Sequence, residues 1–341
     1  MKNLISMTIL LLMTIQNSSA LEKVNIQKLK NLYKRPSQYE IKNLLKLKDL
    51  QSEEVIELGK KLFFDPRLSG SKTMSCATCH QPMLHFSDGL PLAHGFKGVT
   101  LERKTPGLYN LLWAKKFMWD GRVDQLELQV KLPLYHPDEM HSLPEKTVMN
   151  LQAILEYEQE FKRAFPKSLP GELISEEHIT LALAQFVKSL VAPVSAFDRW
   201  IAGDEKAISA RAKNGFILFN TKARCAECHS GFRMTDDSLH DIGVVSYREN
   251  KSPDVGDGQY RFKTPGLRNI ERLAPYFHNG SVPTLYDMIE FYNMGGKEKR
   301  PTLSEKMIPL GLSEDEKNDL VIFLKTLNST LNMDFPRFRD P

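Results

Sequence analysis

The chain has 341 residues, of which 41% are hydrophobic and 26% are charged. This composition excludes a disordered chain, and the length favours about two globular domains. The formal net charge is only +4, so we expect no nucleic-acid partner. Residues 23–48 are locally basic, which usually indicates a solvated helix face and alternatively a surface that steers an acidic partner.

The first twenty residues have the pattern of an export signal. Lys2 precedes an apolar run from Leu4 to Ile15, and Ser18 and Ala20 follow at the spacing that signal peptidase reads. The run is shorter than the roughly 20 apolar residues that span a bilayer. We therefore expect residues 1–20 to be a cleaved signal peptide, and the mature protein to be periplasmic without stable membrane insertion.

Helical periodicity dominates the rest of the chain, and no convincing run of alternating strand residues competes with it. The predicted helices cover residues 53–63, 145–165, 176–191, 205–219, 284–293 and 314–328. The last of these begins with a capping box from Ser313 to Glu316. Long loops rich in proline and glycine separate the helices, so the sequence predicts an all-α fold.

All four cysteines lie in two copies of the pattern C-x-x-C-H, which consist of Cys76, Cys79 and His80, and of Cys225, Cys228 and His229. An exported protein could use these thiols in disulfides, and four thiolates could bind zinc. Neither alternative explains the adjacent histidine. In C-x-x-C-H the two cysteines can add to the vinyl groups of a haem, while the imidazole reaches the iron. The pattern therefore predicts two covalently bound c-type haems, with the two histidines as iron ligands.

A weak internal repeat surrounds the two patterns. Gly59 and Gly215 each open a segment that contains Leu-Phe and leads into a haem motif. We therefore predict two cytochrome c-like haem domains in tandem with long loops, covering residues 21–195 and 196–341. The boundary is placed near Ala196, in the segment VAPVSAFDRWIAGDEK.

Four residues between the haem motifs are candidates for chemistry, namely His94, Trp119, Gln129 and Glu139. Taken singly, each has an ordinary explanation as a loop histidine, a core aromatic, a helix-surface amide or a solvated carboxylate. A haem that only transfers electrons has both axial positions filled. A haem that reacts with a peroxide needs an open or openable position with acid-base groups beside it.

The motifs in order are LFFDPRLSGS, CATCH, FSDG, a Gly-flanked His, R-x-x-P-x-L-x-N, F-x-W-D-G-R, D-E-M, CAECHSG, F-x-T-P-x-L-R-N, APYFHNGS and FYNMGG. This order resembles the bacterial di-haem cytochrome c peroxidases and their MauG-type relatives over residues 52–328. The resemblance implies an enzyme that reduces hydrogen peroxide to water. It implies a peroxidatic N-terminal haem, a C-terminal haem that relays electrons, and a small c-type cytochrome or cupredoxin as donor. Homodimers are common in such enzymes.

The resemblance also implies a role for each candidate. Glu139 and Gln129 match the distal-pocket residues that help to cleave the peroxide O–O bond. His94 matches the histidine that occupies the peroxidatic iron at rest and leaves on activation, although its loop is two residues longer here. Trp119 matches the tryptophan that lies between the haems and supports electron transfer.

The sixth ligand of the second haem departs from the peroxidase pattern. The peroxidases have a methionine fourteen residues after the histidine of APYFH, where this chain has Tyr292; Met294 could serve only after a local shift. A thioether raises the iron potential, whereas a phenolate stabilises ferric iron and lowers it. Tyr292 therefore favours an alternative, a MauG-type oxidase that uses peroxide to reach high-valent haems and oxidises a protein or small molecule.

Two further departures concern MauG chemistry and calcium. The MauG enzyme that matures tryptophan tryptophylquinone has a tryptophan two residues before its second haem motif, where this chain has Ala223. The asparagine that helps to hold calcium between the domains falls on Lys104, and an ammonium group cannot bind calcium. Leu273 and Pro275 could still offer carbonyl oxygens, so calcium binding stays open.

A third alternative is a non-catalytic di-haem electron carrier, in which both irons are six-coordinate. The remaining histidines and tryptophans have no motif behind them, and lone histidines usually make hydrogen bonds rather than metal bonds. We interpret these residues as structural or surface residues: His85, His136, His141, His178, His240, His278, Trp113 and Trp200.

Overall fold

The computed structural model describes residues 25–37, 40, 52–245, 252–330, 334 and 336. The predicted signal peptide, residues 1–20, and much of the basic run lie outside this part of the chain. Within the part described, no helix is both long and apolar enough to cross a membrane.

The regular secondary structure of the described residues is almost entirely helical, so the predicted all-α class is confirmed. The first half contains α1 (Ile26–Tyr33), α2 (Glu53–Phe64), α3 (Cys76–Cys79), α4 (Leu126–Tyr135), α5 (Pro144–Gln152), α6 (Leu155–Ala164) and α7 (Glu176–Ser189). The second half contains α8 (Ala196–Ile201), α9 (Ala210–Asn220), α10 (Leu285–Asn293) and α11 (Glu314–Lys325). Two short strands, β1 (Leu239–His240) and β2 (Phe262–Lys263), pair antiparallel, with Leu239 opposite Lys263.

The six predicted helices all exist, and apart from shifts of up to three residues at their ends they differ from the prediction in two ways. The segment 145–165 forms two helices, α5 and α6, because the chain turns at Ala153 and Ile154. Helix α9 begins at Ala210 rather than at residue 205, because the Ser209 hydroxyl caps it by accepting from the Ala212 N–H at 3.1 Å. Helices α1, α4 and α8, and the single turn α3, were not among the predicted ranges.

The internal repeat corresponds to one helix crossing in each half. In the first half α2 packs against α7, and in the second half α9 packs against α11. A Cβ on Gly59 would lie 1.9 Å from the Ala182 carbonyl oxygen, and a Cβ on Gly215 would lie 2.1 Å from that of Asp319. Both glycines therefore allow a backbone approach that any other residue would block.

Helix α1 packs with the second half of the chain. Tyr33 is fully buried in the hydrophobic core of that half, and its hydroxyl donates to Asn220 Oδ1 at 2.7 Å. Lys30 Nζ donates to the Trp200 carbonyl at 3.2 Å and pairs with Glu205 at 2.6 Å. The sequence division at residue 195 groups this helix with the first half, whereas its side chains pack against the second. The division into 21–195 and 196–341 stays a prediction.

Candidate active site

A cavity of about 890 Å³ lies between the two halves. Its lining includes residues of both C-x-x-C-H motifs and most of the predicted site residues: Cys79, His80, Trp119, Gln129, Glu139, Cys225, Cys228, His229 and Tyr292. Cys76 is not part of the lining, but it opens the helical turn α3 that carries Cys79. The fold thus brings two motifs that are far apart in sequence to one shared space.

The two motif histidines are oriented in the same way. His80 Nδ1 lies 2.9 Å from the Phe86 carbonyl oxygen, and His229 Nδ1 lies 2.9 Å from that of Met234. A carbonyl can only accept, so Nδ1 carries the proton and Nε2 keeps its lone pair for a metal. Burial lowers the pKa of both imidazoles. Each histidine is therefore held as the neutral ligand that iron requires.

The four thiols are free, which excludes disulfides between them. Within the described residues, the one cluster of side chains with metal-binding spacing consists of Cys228, Asp236 and His240. The four thiols therefore do not converge on a zinc site. Free thiols, oriented imidazoles and a shared cavity fit two haems.

Gln129 and Glu139 reach the cavity from α4 and from the loop after it. Pro133 interrupts α4 and has no N–H, so the Gln129 carbonyl lacks its usual helical donor. The Gln129 side chain makes a weak contact of 3.6 Å from Nε2 to Met118 Sδ. Burial raises the pKa of Glu139, against the opposing charges of His136 and Arg122. Glu139 is therefore a carboxyl group that retains its proton to higher pH than an exposed one.

The backbone at Gly95, next to His94, approaches the backbone of Asp138 and Glu139 closely. The His94 side chain, however, is exposed and does not line the cavity. Its Nδ1 is 3.3 Å from Thr100 Oγ1. The loop is held by a hydrogen bond from the Phe96 N–H to the Asp138 carbonyl at 2.9 Å, and a Cβ on Gly95 would lie 1.9 Å from that carbonyl oxygen. The structure therefore does not bring His94 together with the other candidates, and its role as an iron ligand stays a prediction.

Trp119 is held at both ends between the two halves. Its indole Nε1 donates to the Lys104 carbonyl at 2.9 Å, and its own carbonyl accepts from the Lys263 N–H at 2.7 Å. The ring meets His278 edge to face, with centroids 6.5 Å apart. This tryptophan lies in the cavity wall that both halves share.

Tyr292 and Met294 have different environments. Tyr292 lines the cavity and packs edge-on to Phe277 and Phe291. Burial raises the pKa of its hydroxyl, and negative charge on Cys228 and Cys225 would raise it further. Met294 follows the end of α10 and is 44% exposed. Tyr292 is thus the one of the two that faces the cavity in this structure.

Comparisons with known proteins give the family. The family model for di-haem cytochrome c peroxidase, of the CCP and MauG type, matches residues 53–206, and a RoxA-like, cytochrome c-like model matches residues 262–294. The methylamine utilization protein MauG of Methylorubrum extorquens is 48% identical over 81% of this chain and 78% of its own length. The cytochrome c551 peroxidase of Pseudomonas aeruginosa is 34% identical over 81% of this chain and 79% of its own length.

The chain belongs to the di-haem cytochrome c peroxidase and MauG family. A solved structure of a MauG-like protein associated with microbial copper homeostasis agrees, with a TM-score of 0.75 and 30% identity over 82% of this chain and 90% of that one. The predicted family, the helical fold, the two c-type haems and an enzyme that acts on peroxide are confirmed at this level.

The calcium ion of this family does not fit the residues present here. Lys104 is 5% exposed and directs its Nζ to Ser87 Oγ at 3.1 Å. It lines the cavity together with Leu273 and Pro275, whose carbonyls were the remaining candidate ligands. A buried ammonium repels a divalent cation and has no lone pair to offer.

The sequence reasoning missed Arg103. Arg103 joins the halves, because it pairs with Asp120 at 2.7 Å and with Asp254 at 2.8 Å. Burial alone would raise the pKa of Asp254, but hydrogen bonds from Arg103 and a backbone N–H lower it to about 2. No local pattern marks a pair whose members are 151 positions apart. Four histidines that the sequence indicated to be structural or surface residues also line the cavity, namely His85, His136, His240 and His278. Their interpretation stays a prediction.

Proposed function

We propose that the protein is a periplasmic peroxidase that reduces hydrogen peroxide to two waters. Two electrons and two protons are consumed, and the electrons come from a small c-type cytochrome or cupredoxin. The observation that carries this proposal is that Glu139 and Gln129 line the same cavity as both haem motifs. A protein that only relays electrons has no use for a carboxyl group with a raised pKa in that position.

The roles of the side chains follow from their chemistry. Bound haem supplies a redox-active iron that binds peroxide and exchanges electrons. Burial lets Glu139 keep its proton to higher pH, so it can donate that proton to the departing peroxide oxygen and then accept the proton of the other oxygen. The Gln129 amide can donate a hydrogen bond that orients the peroxide. In this proposal His80 and His229 bind the two irons, and Cys76, Cys79, Cys225 and Cys228 attach the two haems.

Electrons are proposed to enter at the C-terminal haem and to pass by Trp119. Support comes from the position of Trp119, which contacts both halves through Lys104 and Lys263. Export rests on the sequence of residues 1–20. We also propose a homodimer, because homodimers are common in similar enzymes. Analytical ultracentrifugation of the haem-loaded protein tests this.

The experiment that tests the peroxidase is Glu139→Gln in the haem-loaded protein. The variant keeps the shape of the side chain but cannot release a proton, so we expect peroxide turnover to fall about 10²- to 10⁴-fold. Absorbance should show both haems still attached. Glu158→Gln, an exposed carboxylate on α6, is the matched control and should leave turnover unchanged. An unchanged rate in Glu139→Gln would remove the acid-base role.

A second function, a MauG-type oxidase, is favoured by Tyr292, because Tyr292 lines the cavity while Met294 is 44% exposed. In this proposal Tyr292 binds the second iron, and the enzyme oxidises a protein or small molecule in place of a cytochrome. Ala223, buried in the cavity wall, cannot act as the tryptophan relay to a quinone precursor. A fast spectral response of the fully oxidised protein to one equivalent of peroxide supports the oxidase. A response only after half-reduction supports the cytochrome-dependent peroxidase.

A further inference from the structure

Lys104 is a buried cation at the junction of the two halves. It is 5% exposed, and its Nζ donates to Ser87 Oγ at 3.1 Å. Ser87 Oγ donates in turn to the Thr105 carbonyl at 2.8 Å, and Thr105 Oγ1 donates to Asp88 Oδ2 at 2.6 Å. The ammonium group therefore ends in a compact buried polar cluster.

One carboxylate balances this charge. Asp88 is 8% exposed, and its charge opposes the effect of burial, which lowers the pKa of Lys104. A buried ammonium is costly unless a negative group compensates it. The cluster thus contains one cation and one anion, and a divalent ion added beside Lys104 would leave uncompensated positive charge in a medium of low dielectric constant.

The backbone of the same residue connects the two halves. The Lys104 N–H donates to the His278 carbonyl at 2.7 Å, and the Lys104 carbonyl accepts from Trp119 Nε1 at 2.9 Å. The neighbouring Arg103 pairs with Asp254 across the same junction. The position of Lys104 is therefore linked directly to the position of the tryptophan between the haem motifs.

We propose that the Lys104 ammonium is a tethered cation that replaces the calcium ion of related enzymes, and that Lys104 is a positioning residue for Trp119. Calcium is then not needed for this protein, because its charge and its bridging role are part of the chain. A tethered cation cannot be removed by a chelator or by dilution. The proposal depends on the family and on the contacts of Lys104, and not on whether the enzyme is a peroxidase or an oxidase.

The first test is made on the unmodified haem-loaded protein. After gel filtration without added metal, elemental analysis should find far less than one calcium ion per chain. Addition of a calcium chelator, and then of calcium chloride, should change neither the haem spectrum nor the thermal unfolding midpoint. About one tightly held calcium ion per chain, or a shift on chelation, would overturn the proposal without any variant.

The second test compares two substitutions at one position. Lys104→Asn introduces an amide oxygen, so this variant should bind one calcium ion and its unfolding midpoint should rise with calcium chloride. Lys104→Met is neutral and has no ligand atom, so it should not respond. Equal responses of the two variants would contradict the proposal. If Lys104→Met does not load haem, the test compares the unfolding midpoint of Lys104→Asn produced with calcium and without calcium.

The positioning role has its own measurement, the rate at which electrons redistribute between the haems after rapid partial reduction. We expect a slower rate in Lys104→Met, and in Lys104→Asn a slower rate that calcium restores. Lys116→Met is the matched control, because Lys116 lines the cavity but is exposed. An unchanged rate in Lys104→Met would show that Lys104 does not position Trp119.

Discussion

Tyr292 and Met294 are two positions apart, yet only Tyr292 faces the central cavity, while Met294 is 44% exposed. Two positions correspond to about 200° around a helix, so the two side chains leave the end of α10 in nearly opposite directions. The sequence left two candidates for the sixth ligand of the second iron, and helix geometry directs only Tyr292 toward the cavity. A local unwinding after Asn293 would be needed to exchange the two side chains.

Tyr292→Met should raise the reduction potential of the second haem, because a thioether favours ferrous iron and a phenolate favours ferric iron. Potentiometric titration of the haem-loaded variant measures this change. Met294→Leu is the control and should leave both potentials in place. If the reduction potential of the second haem changes in Met294→Leu but not in Tyr292→Met, the ligand is Met294.

Peroxide turnover should depend on pH through Glu139. Burial raises the pKa of this carboxyl group, so its protonated form persists above the ordinary glutamic acid range and is lost as pH rises through the raised pKa. The same shift means that folding stability attributable to Glu139 is present at low pH and decreases over that window. Turnover of the unmodified protein should therefore fall as pH rises through the raised pKa of Glu139. Glu139→Gln should not show this fall. If turnover of Glu139→Gln falls at the same pH as turnover of the unmodified protein, the titrating group is not Glu139.

Gly59→Ala should destabilise the first half although alanine favours helices by about 1 kcal/mol over glycine. The added methyl group would lie 1.9 Å from the Ala182 carbonyl oxygen, so α2 and α7 must separate. Overpacking of this kind costs roughly 1–3 kcal/mol, and denaturant unfolding measures the net loss. Gly171→Ala, with nothing within 4 Å of the new Cβ, should be neutral or slightly stabilising. Equal unfolding midpoints for the two variants would contradict the role of close packing.

Arg103→Met should cost about 3 kcal/mol in unfolding free energy, since it removes the cation that the buried carboxylates of Asp120 and Asp254 share. Asp120 keeps its second ion pair, with Arg122 at 2.6 Å. Arg211→Met is the control. The Arg211 side chain is 54% exposed and pairs with Asp319, so its loss should cost at most about 1 kcal/mol.

The Arg103 pair also predicts an acid limb of stability. The pKa of Asp254 is lowered to about 2, so its contribution is fully present above the ordinary aspartic acid pKa of about 3.9 and is lost as pH falls toward about 2. Denaturant unfolding at a series of pH values measures the limb. In Arg103→Met the loss of unfolding free energy at low pH should be smaller. An unchanged loss would show that other carboxylates cause it.

Helix prediction succeeded where an apolar stripe was long and failed for particular physical reasons. Helix α4 contains Pro133 and has no pronounced apolar face, because it borders the cavity as well as the core. Helix α8 has only six residues, AFDRWI, and lies in the segment where the sequence placed the domain boundary. Helix α1 carries charged residues, and its burial depends on the pairing of Lys30 with Glu205.

The site residues predicted from sequence fall into those that line the cavity and one that does not. Trp119, Gln129 and Glu139 were named from the family resemblance and do line the cavity. His94 was named with them, but its imidazole lies at the surface beside Thr100. The motif therefore locates the loop, while the direction of the side chain depends on how that loop packs against Asp138.

The sequence by itself determined the two haem attachment motifs, the family and the helical class. These properties reside in residues within a few positions of each other, where local geometry leaves little freedom. The tertiary structure decided which distant groups meet: Arg103 with Asp254, Lys104 with His278 and Trp119, and Tyr292 rather than Met294 with the cavity. Such contacts depend on how whole helices and loops pack, which no short stretch of sequence specifies.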